Sequence, residues 1–332
     1  MTEKTQVTRP DGGLWQRVFR RYSWEWTLVL ILIGVNVMNS ILSPYYFNAS
    51  LIDAPMNFLD KAFIALSMSF VLVIGFIDIS VASTVALSSV IMGVSFNAGL
   101  PMPAAMVLCL LVGLVCGLIN GLLLVKFNEL APMIVTLATQ IIYRGIATIL
   151  LEDGAAGKFP EWFSYLGTGH IGPIPFIAVV FAIFAVVFGL VLQRTPFGRQ
   201  LYAMGSNMVV SRFSGIKTNR NLLIVFTLNG LMAAVTAIFL TSRMSSTRPN
   251  IALAYEMDVI AMAVLGGVST AGGKGRIPGV VLAIFIIGLL RYGLGLININ
   301  AQILMIIIGV LLIAAVAFPE LKGVGERIRN RR

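Results

Sequence analysis

The sequence predicts an all-α polytopic membrane protein of about ten transmembrane helices, some of them broken, with both termini cytoplasmic. Three observations carry that expectation. Hydrophobic residues make up 58% of the 332 and charged residues only 11%, against roughly 45–50% and 25% in a soluble domain. Apolar runs of membrane-crossing length recur along the chain, separated by short polar gaps rich in Pro and Gly. The basic residues behind the +10 formal charge are confined to alternate gaps and the two ends, where they would lie against anionic lipid rather than nucleic acid.

The runs fall near 24–42, 62–77, 79–97, 104–125, 131–151, 173–193, 221–241, 256–272, 277–296 and 301–318. Trp24 and Trp26, then Tyr45 and Tyr46, bracket the first run as interfacial anchors. The second and third abut at Asp78, in "LVIGFIDISVAS". Cys109 and Cys116 stand seven apart within the fourth, on one helix face, and read as small core residues. Thr136, Gln140 and Arg144, four apart in the fifth, form one stripe, and Asn120, Asn229 and Arg291 interrupt other runs. Such polar groups face a bundle interior, either for packing or along a solute path.

Charge placement orients the spans. Lys4, Arg9, Arg17, Arg20 and Arg21, Lys126, Arg194, Arg199, Arg212, Lys217 and Arg220, Lys274 and Arg276, and Lys322, Arg327, Arg329, Arg331 and Arg332 share one side, 18 of the 24 Lys and Arg. Lys61, Lys158, Arg243 and Arg248 take the other side, so the first set is cytoplasmic. Ten crossings satisfy this parity, as do eight with 62–97 folded into one re-entrant hairpin. The organisation is therefore a cytoplasmic tail 1–22, a transmembrane domain 23–320 with an inner loop near 194–220, and a basic cytoplasmic tail 321–332. The N-terminus has no short apolar core followed by a small-residue cleavage site, so no removable signal peptide is expected.

Reactive chemistry is missing from the sequence. In "GGVSTAGGKGR" the spacing of a phosphate-binding loop fails, and Gly275 stands where a metal-binding hydroxyl belongs. A serine-protease reading of "GVST" would need a base, and the sole histidine, His170, lies in a gap on the opposite side. No catalytic residue, cofactor site or metal cluster is expected.

Three stretches remain unusual. Asp78 at a helix centre would cost roughly 2.5–3.5 kcal/mol. At a break between helices, freed backbone N–H groups or water lower that cost. Asp78 thus either caps a helix near the cytoplasmic face or marks a broken helix beside a solute path, with Ser80, Ser83 and Thr84 placed to cap the next half-helix. "GGVSTAGGKGRIPG" puts Gly266, Gly267, Gly272, Gly273, Gly275 and Gly279 into fourteen residues, as a flexible loop, a hinge or a site of close helix packing. "VIGFIDISVAS" and "VLGGVSTAGG" hint at an internal repeat. The third stretch, 193–221, is basic yet keeps an apolar pattern of Leu201, Met204, Val209, Val210 and Phe213. Asn207 could start a short helix in it and Gly215 end one, lying on lipid or docking into a partner.

At these stretches the chain resembles the permease subunits of bacterial ATP-binding-cassette importers for monosaccharides, of the ribose, xylose, rhamnose and autoinducer-2 branch. The matching segments are "GFIDISVAS", "APMIVTLATQIIYRG", "TPFGRQLYAMGSNMVVSRFSGI" and "GGVSTAGGKGRIPG", in order across nearly the whole chain. Phe76 and Ala82 stand where the family usually has glycine. The resemblance implies a pore half in the bacterial inner membrane that pairs with a second permease copy or paralogue. Two cytoplasmic ATPase subunits would bind the ATP, and a periplasmic sugar-binding protein would deliver the solute. It also implies that 195–216 couples to the ATPase, centred on Thr195, Gly198, Arg199, Gly205, Asn207 and Gly215. Asp78, Ser80, Thr136, Gln140 and Arg144 are candidates for the translocation path. The phrasing of "IALSMSFVLVIGFIDIS" is nearest rhamnose-type permeases, with autoinducer permeases also similar. The alternative is a gradient-driven secondary transporter titrating Asp78.

Overall fold

The structure is a computed structural model that describes residues 23–300 except Ala49, with positions 303, 306, 307, 309, 310 and 313. Both expected tails, 1–22 and 321–332, lie outside the described residues, as does most of the expected span 301–318.

The described chain is helical nearly throughout. In order it forms α1 (Ser23–Leu42), α2 (Ser50–Asp53), a 3₁₀ turn (Ala54–Asn57), α3 (Leu59–Val73), α4 (Val81–Asn97), α5 (Met102–Lys126) and α6 (Pro132–Leu151). Then come α7 (Glu161–Thr168), α8 (Phe176–Arg194), α9 (Pro196–Ser206), α10 (Met208–Phe213), α11 (Thr218–Met244), α12 (Tyr255–Leu265) and α13 (Ile277–Leu296). Two-residue strands, Ala156–Gly157 with Ser246–Thr247 and His170–Ile171 with Ile174–Pro175, pair antiparallel in the loops.

Among the described residues six helices are long and apolar enough to cross a membrane. Leu51–Asn57 and Leu59–Val73, bent by 57°, make a seventh if counted as one span. Two expected spans come out shorter: 79–97 is the 17-residue α4, and 256–272 shrinks to the 11-residue α12. The cause is local. Gly266, Gly267, Gly272, Gly273 and Gly275 give helix too little support to continue past Leu265.

Packing follows side-chain size. Every residue of α3 is buried, Asp60, Lys61, Ser67 and Ser69 included, and α11 runs beside it. On α5, Cys109, Gly113 and Gly117 let the backbone of α11 approach at Phe226, Gly230 and Ala234. Both cysteines are buried and free.

The two ends of the bundle are distinct. At one, Trp24 of α1 donates to the Leu265 carbonyl (3.1 Å) and Arg276 pairs with Glu25 (3.3 Å). At the other, Asn39 of α1 reaches the Leu289 carbonyl (2.9 Å), and Arg243 reaches Asp60 (2.8 Å). Of the expected aromatic anchors, Trp26 and Tyr45 are exposed, but Trp24 and Tyr46 are internal tethers. Tyr46 is fully buried and donates to Asn36 (2.9 Å).

Candidate functional site

The three unusual stretches meet at the end of the bundle that carries Trp24 and Arg276. α3 and α12 stop in the same way. Gly75 donates to Leu72 and Phe76 to Val71, while Gly267 donates to Val264 and Val268 to Ala263. Both glycines have positive φ, +81° and +88°. Each end is therefore a Schellman cap with a left-handed glycine, a conformation costly for any residue with a Cβ. The repeat hinted at in the sequence is thus a repeated helix–break–helix, 59–97 and 255–296.

α9 closes this cluster. Thr195 caps it through Oγ1, accepting from Gly198 (3.2 Å), and Pro196 occupies its first turn. Gly198 lies against the Leu192 carbonyl, and Arg199 is exposed. Leu201 and Met204 are buried, and Tyr202 donates to the Gly275 carbonyl (2.7 Å). Burial raises the Tyr202 phenol pKa, which nearby Arg276 partly offsets. Gly205 touches both breaks: a Cβ there would strike the Val73 carbonyl and the Gly273 nitrogen. Asn207 then caps α10 by accepting from Val210 (3.0 Å), and Gly215, at φ +85°, ends it. The apolar pattern of this loop is split by the fold. Leu201 and Met204 face the bundle, whereas Val209, Val210 and Phe213 are 63%, 58% and 88% exposed.

The remaining glycines of the second break sit in contacts. Gly266 meets Gly279 and Val280, Gly267 meets Trp24, Gly272 meets Gly75 and Gly205, and Gly275 meets Val268.

Asp78 lies in the first break, only 2% exposed. Its Oδ1 accepts from the Ser80 N–H (3.0 Å) and hydroxyl (2.7 Å), and its Oδ2 from Asn229 Nδ2 (2.9 Å). Ser67 donates to Asn229 (2.7 Å), Asn120 to Ser80 (2.7 Å) and Tyr143 to Asn120 (3.1 Å). Thr136 Oγ1 receives the Ile79 N–H (3.3 Å). The carboxylate is thus the hub through which the break is held by α3, α5, α6 and α11, and buried polar groups are tolerable when satisfied in this way. Ser80 is not the side-chain cap its position suggests, because its hydroxyl serves Asp78; Ser83 and Thr84 bond back to the Ser80 carbonyl.

Thr136 therefore joins Asp78 and Ser80, while Gln140 and Arg144 do not. Gln140 donates to Glu256 (3.4 Å), and Arg144 holds the Pro249 and Ile251 carbonyls (2.6 and 2.8 Å). They belong to a polar layer at the opposite end. There Lys61 pairs with Asp258 (2.7 Å) at 6% and 11% side-chain exposure, Arg291 also binds Asp258, and Tyr255 and Arg243 bind Asp60. Charge placement alone puts Lys61 and Arg243 in external gaps, with Asp60 next to Lys61 and Asp258 at the outer end of the run 256–272. The signal for their burial is the apolar sequence flanking them, "FLDKAF" and "EMDVIAM". His170 is an exposed loop residue beside Asp53 (2.7 Å).

Known proteins are similar to this chain. The family described as "Branched-chain amino acid transport system / permease component" matches residues 56–316. The chain belongs to that permease family. Its relatives include the autoinducer 2 import system permease protein LsrD of Yersinia enterocolitica, 34% identical over 90% of this chain and 92% of the relative. The LsrD proteins of Salmonella paratyphi A and of Escherichia coli O9:H4 are 32% and 33% identical over 90% and 89% of this chain and 92% of each relative. No solved structure matches. The permease is accordingly a multi-pass protein of the inner membrane and a transport subunit. Its described residues contain no group of three His, Cys, Asp or Glu side chains that could hold a metal.

Proposed function

We propose that this permease is the membrane half of an ATP-binding-cassette importer that moves a monosaccharide-like solute, autoinducer-2 or a similar small sugar, into the cytoplasm. The solute follows from the import role in the names of the LsrD relatives, while rhamnose and ribose remain the other substrates to test. The full membrane domain makes ten crossings with both termini cytoplasmic, and α12 with α4 supplies short members. It pairs with a second copy or a paralogous permease. Two ATPase subunits bind the nucleotide, this chain itself carrying no cofactor, and a periplasmic binding protein delivers the sugar.

One observation carries the coupling role. α9 and α10 form a built unit whose inner side holds Gly205 against both breaks, and whose outer side leaves Val209, Val210 and Phe213 uncovered. An ATPase docked on α10 would thereby move both broken elements together. Thr136, Gln140 and Arg144 would border the path, and Asp78 with Ser80 would hold its inner wall.

Gradient-driven transport would need a carboxylate free to change partners. Both Asp78 oxygens are engaged by three donors, which favours the structural role. The test is uptake of labelled autoinducer-2, rhamnose and ribose into proteoliposomes holding permease, ATPase and binding protein. Uptake should need ATP and all three components. Accumulation without the ATPase, abolished by Asp78→Asn, would establish the gradient-driven transporter instead.

A further inference from the structure

A cavity of about 840 Å³ opens beside the coupling unit. Its walls include Trp24 and Glu25 of α1, Arg194 at the end of α8, Tyr202 of α9, and Lys274 and Arg276 of the second break. Arg276 pairs with Glu25 (3.3 Å), so that carboxylate is already matched. Arg194 and Lys274, both exposed, leave the cavity net cationic. α1 begins and α8 ends at this cavity, and both are candidate membrane spans. Its mouth therefore lies where an apolar helix surface gives way to polar residues, the depth of lipid phosphates. Trp24, tethered to the Leu265 carbonyl, forms part of the wall.

From these observations we infer that the cavity is a binding site for the phosphate of an anionic phospholipid of the cytoplasmic leaflet. Its volume lies within the roughly 300–1,000 Å³ usual for a small-molecule pocket, enough for a glycerophosphate headgroup. A soluble phosphate would satisfy Arg194 and Lys274 equally. The lipid is favoured by the apolar flanks of α1 and α8, along which acyl chains can lie. Tyr202 and Gly275 join α9 to the break across this wall (2.7 Å). A bound headgroup would accordingly brace the same joint that the coupling unit moves. The site rests on the proposed topology, which turns this end to the cytoplasm, and is independent of the solute.

The test extracts the full chain, with whatever subunits accompany it, into nanodiscs of phosphatidylcholine containing phosphatidylglycerol, and counts retained lipids by native mass spectrometry. Wild type should retain phosphatidylglycerol selectively. Each Lys or Arg near a lipid surface is worth about 1 kcal/mol, so R194Q with K274Q should weaken retention roughly 30-fold. K126Q, at the same end but outside the cavity, should retain lipid as wild type does. Equal loss in K126Q would mean diffuse attraction and overturn the site. Unchanged retention in the double variant would overturn it too. Displacement of the lipid by millimolar inorganic phosphate would reassign the cavity to a soluble anion and equally defeat the proposal. None of these readouts involves uptake, so failure of the sugar-import assay leaves them intact.

Discussion

Gly273 donates its backbone N–H to the carbonyl of Val73 at 2.8 Å, joining the second helix break directly to the end of the helix before the first. The two residues are far apart in sequence, and the bond lies beside Gly205 of α9. Two broken elements and one coupling helix thus share a single backbone junction, which has room for hydrogen atoms but not for a methyl group.

Gly205→Ala tests that junction. Its Cβ meets backbone on two sides, so α9 must shift rather than a side chain rotate. Overpacking of this sort costs about 1–3 kcal/mol. Uptake by the assembled importer should fall at least about tenfold, while ATP hydrolysis continues. Parallel uptake and hydrolysis assays in proteoliposomes check it, and normal uptake would remove the junction from the coupling path.

The Asp78 hub makes a second prediction. Asp78→Asn replaces one acceptor oxygen with a donor that must face Ser80 or Asn229, each already donating. A buried group left unsatisfied costs about 1–3 kcal/mol, so the melting temperature in detergent should drop. Asn229→Ala should be destabilising as well. The double variant should lose less than the sum of the two, because both changes remove one shared bond. Strict additivity would deny the contact.

How much of this was legible beforehand varies by residue. Asn207 and Gly215 declared the ends of α10 because capping is local chemistry, decided within three or four residues. The position of Asp78 was visible as an anomaly. Its partners were not, since Ser67, Asn120 and Asn229 reach it from helices remote in sequence and nothing in an apolar run states its rotation. The sequence does not announce α9 as a helix because glycines and a proline dilute its pattern, although Thr195 before Pro196 is a helix-start signal. The buried ions escaped for another reason. A charge at a helix end can belong to water or to a neighbouring helix, and only the packing of α3 on α12 and α13 decides between them.

Asp258 supports two cations, Lys61 and Arg291. Asp258→Asn leaves both without a counter-charge in a layer where Lys61 is 4% exposed. Removing one partner of a buried pair costs about 3–5 kcal/mol, so the variant should be extracted in low yield. Adding Lys61→Met should recover part of the loss, because a methionine fills the space without a charge. No recovery would mean that Asp258 acts through Arg291 alone, a result readable from the melting temperatures of the three variants.

The exposed face of α10 gives the last prediction. Phe213 is 88% exposed, and the bulk of its ring contributes nothing to this chain's own core. Phe213→Asp should leave the melting temperature of the isolated permease within the spread of surface substitutions, about 0.5 kcal/mol. If α10 enters a groove of the ATPase, the same change places a carboxylate in an apolar pocket. A central aromatic anchor of an interface is worth about 2 kcal/mol or more, so affinity for the ATPase should fall about 30-fold. Co-purification and titration of the ATPase onto immobilised permease measure this without any transport assay. An unchanged affinity would place the docking surface elsewhere. A lowered melting temperature with unchanged affinity would return Phe213 to a packing role.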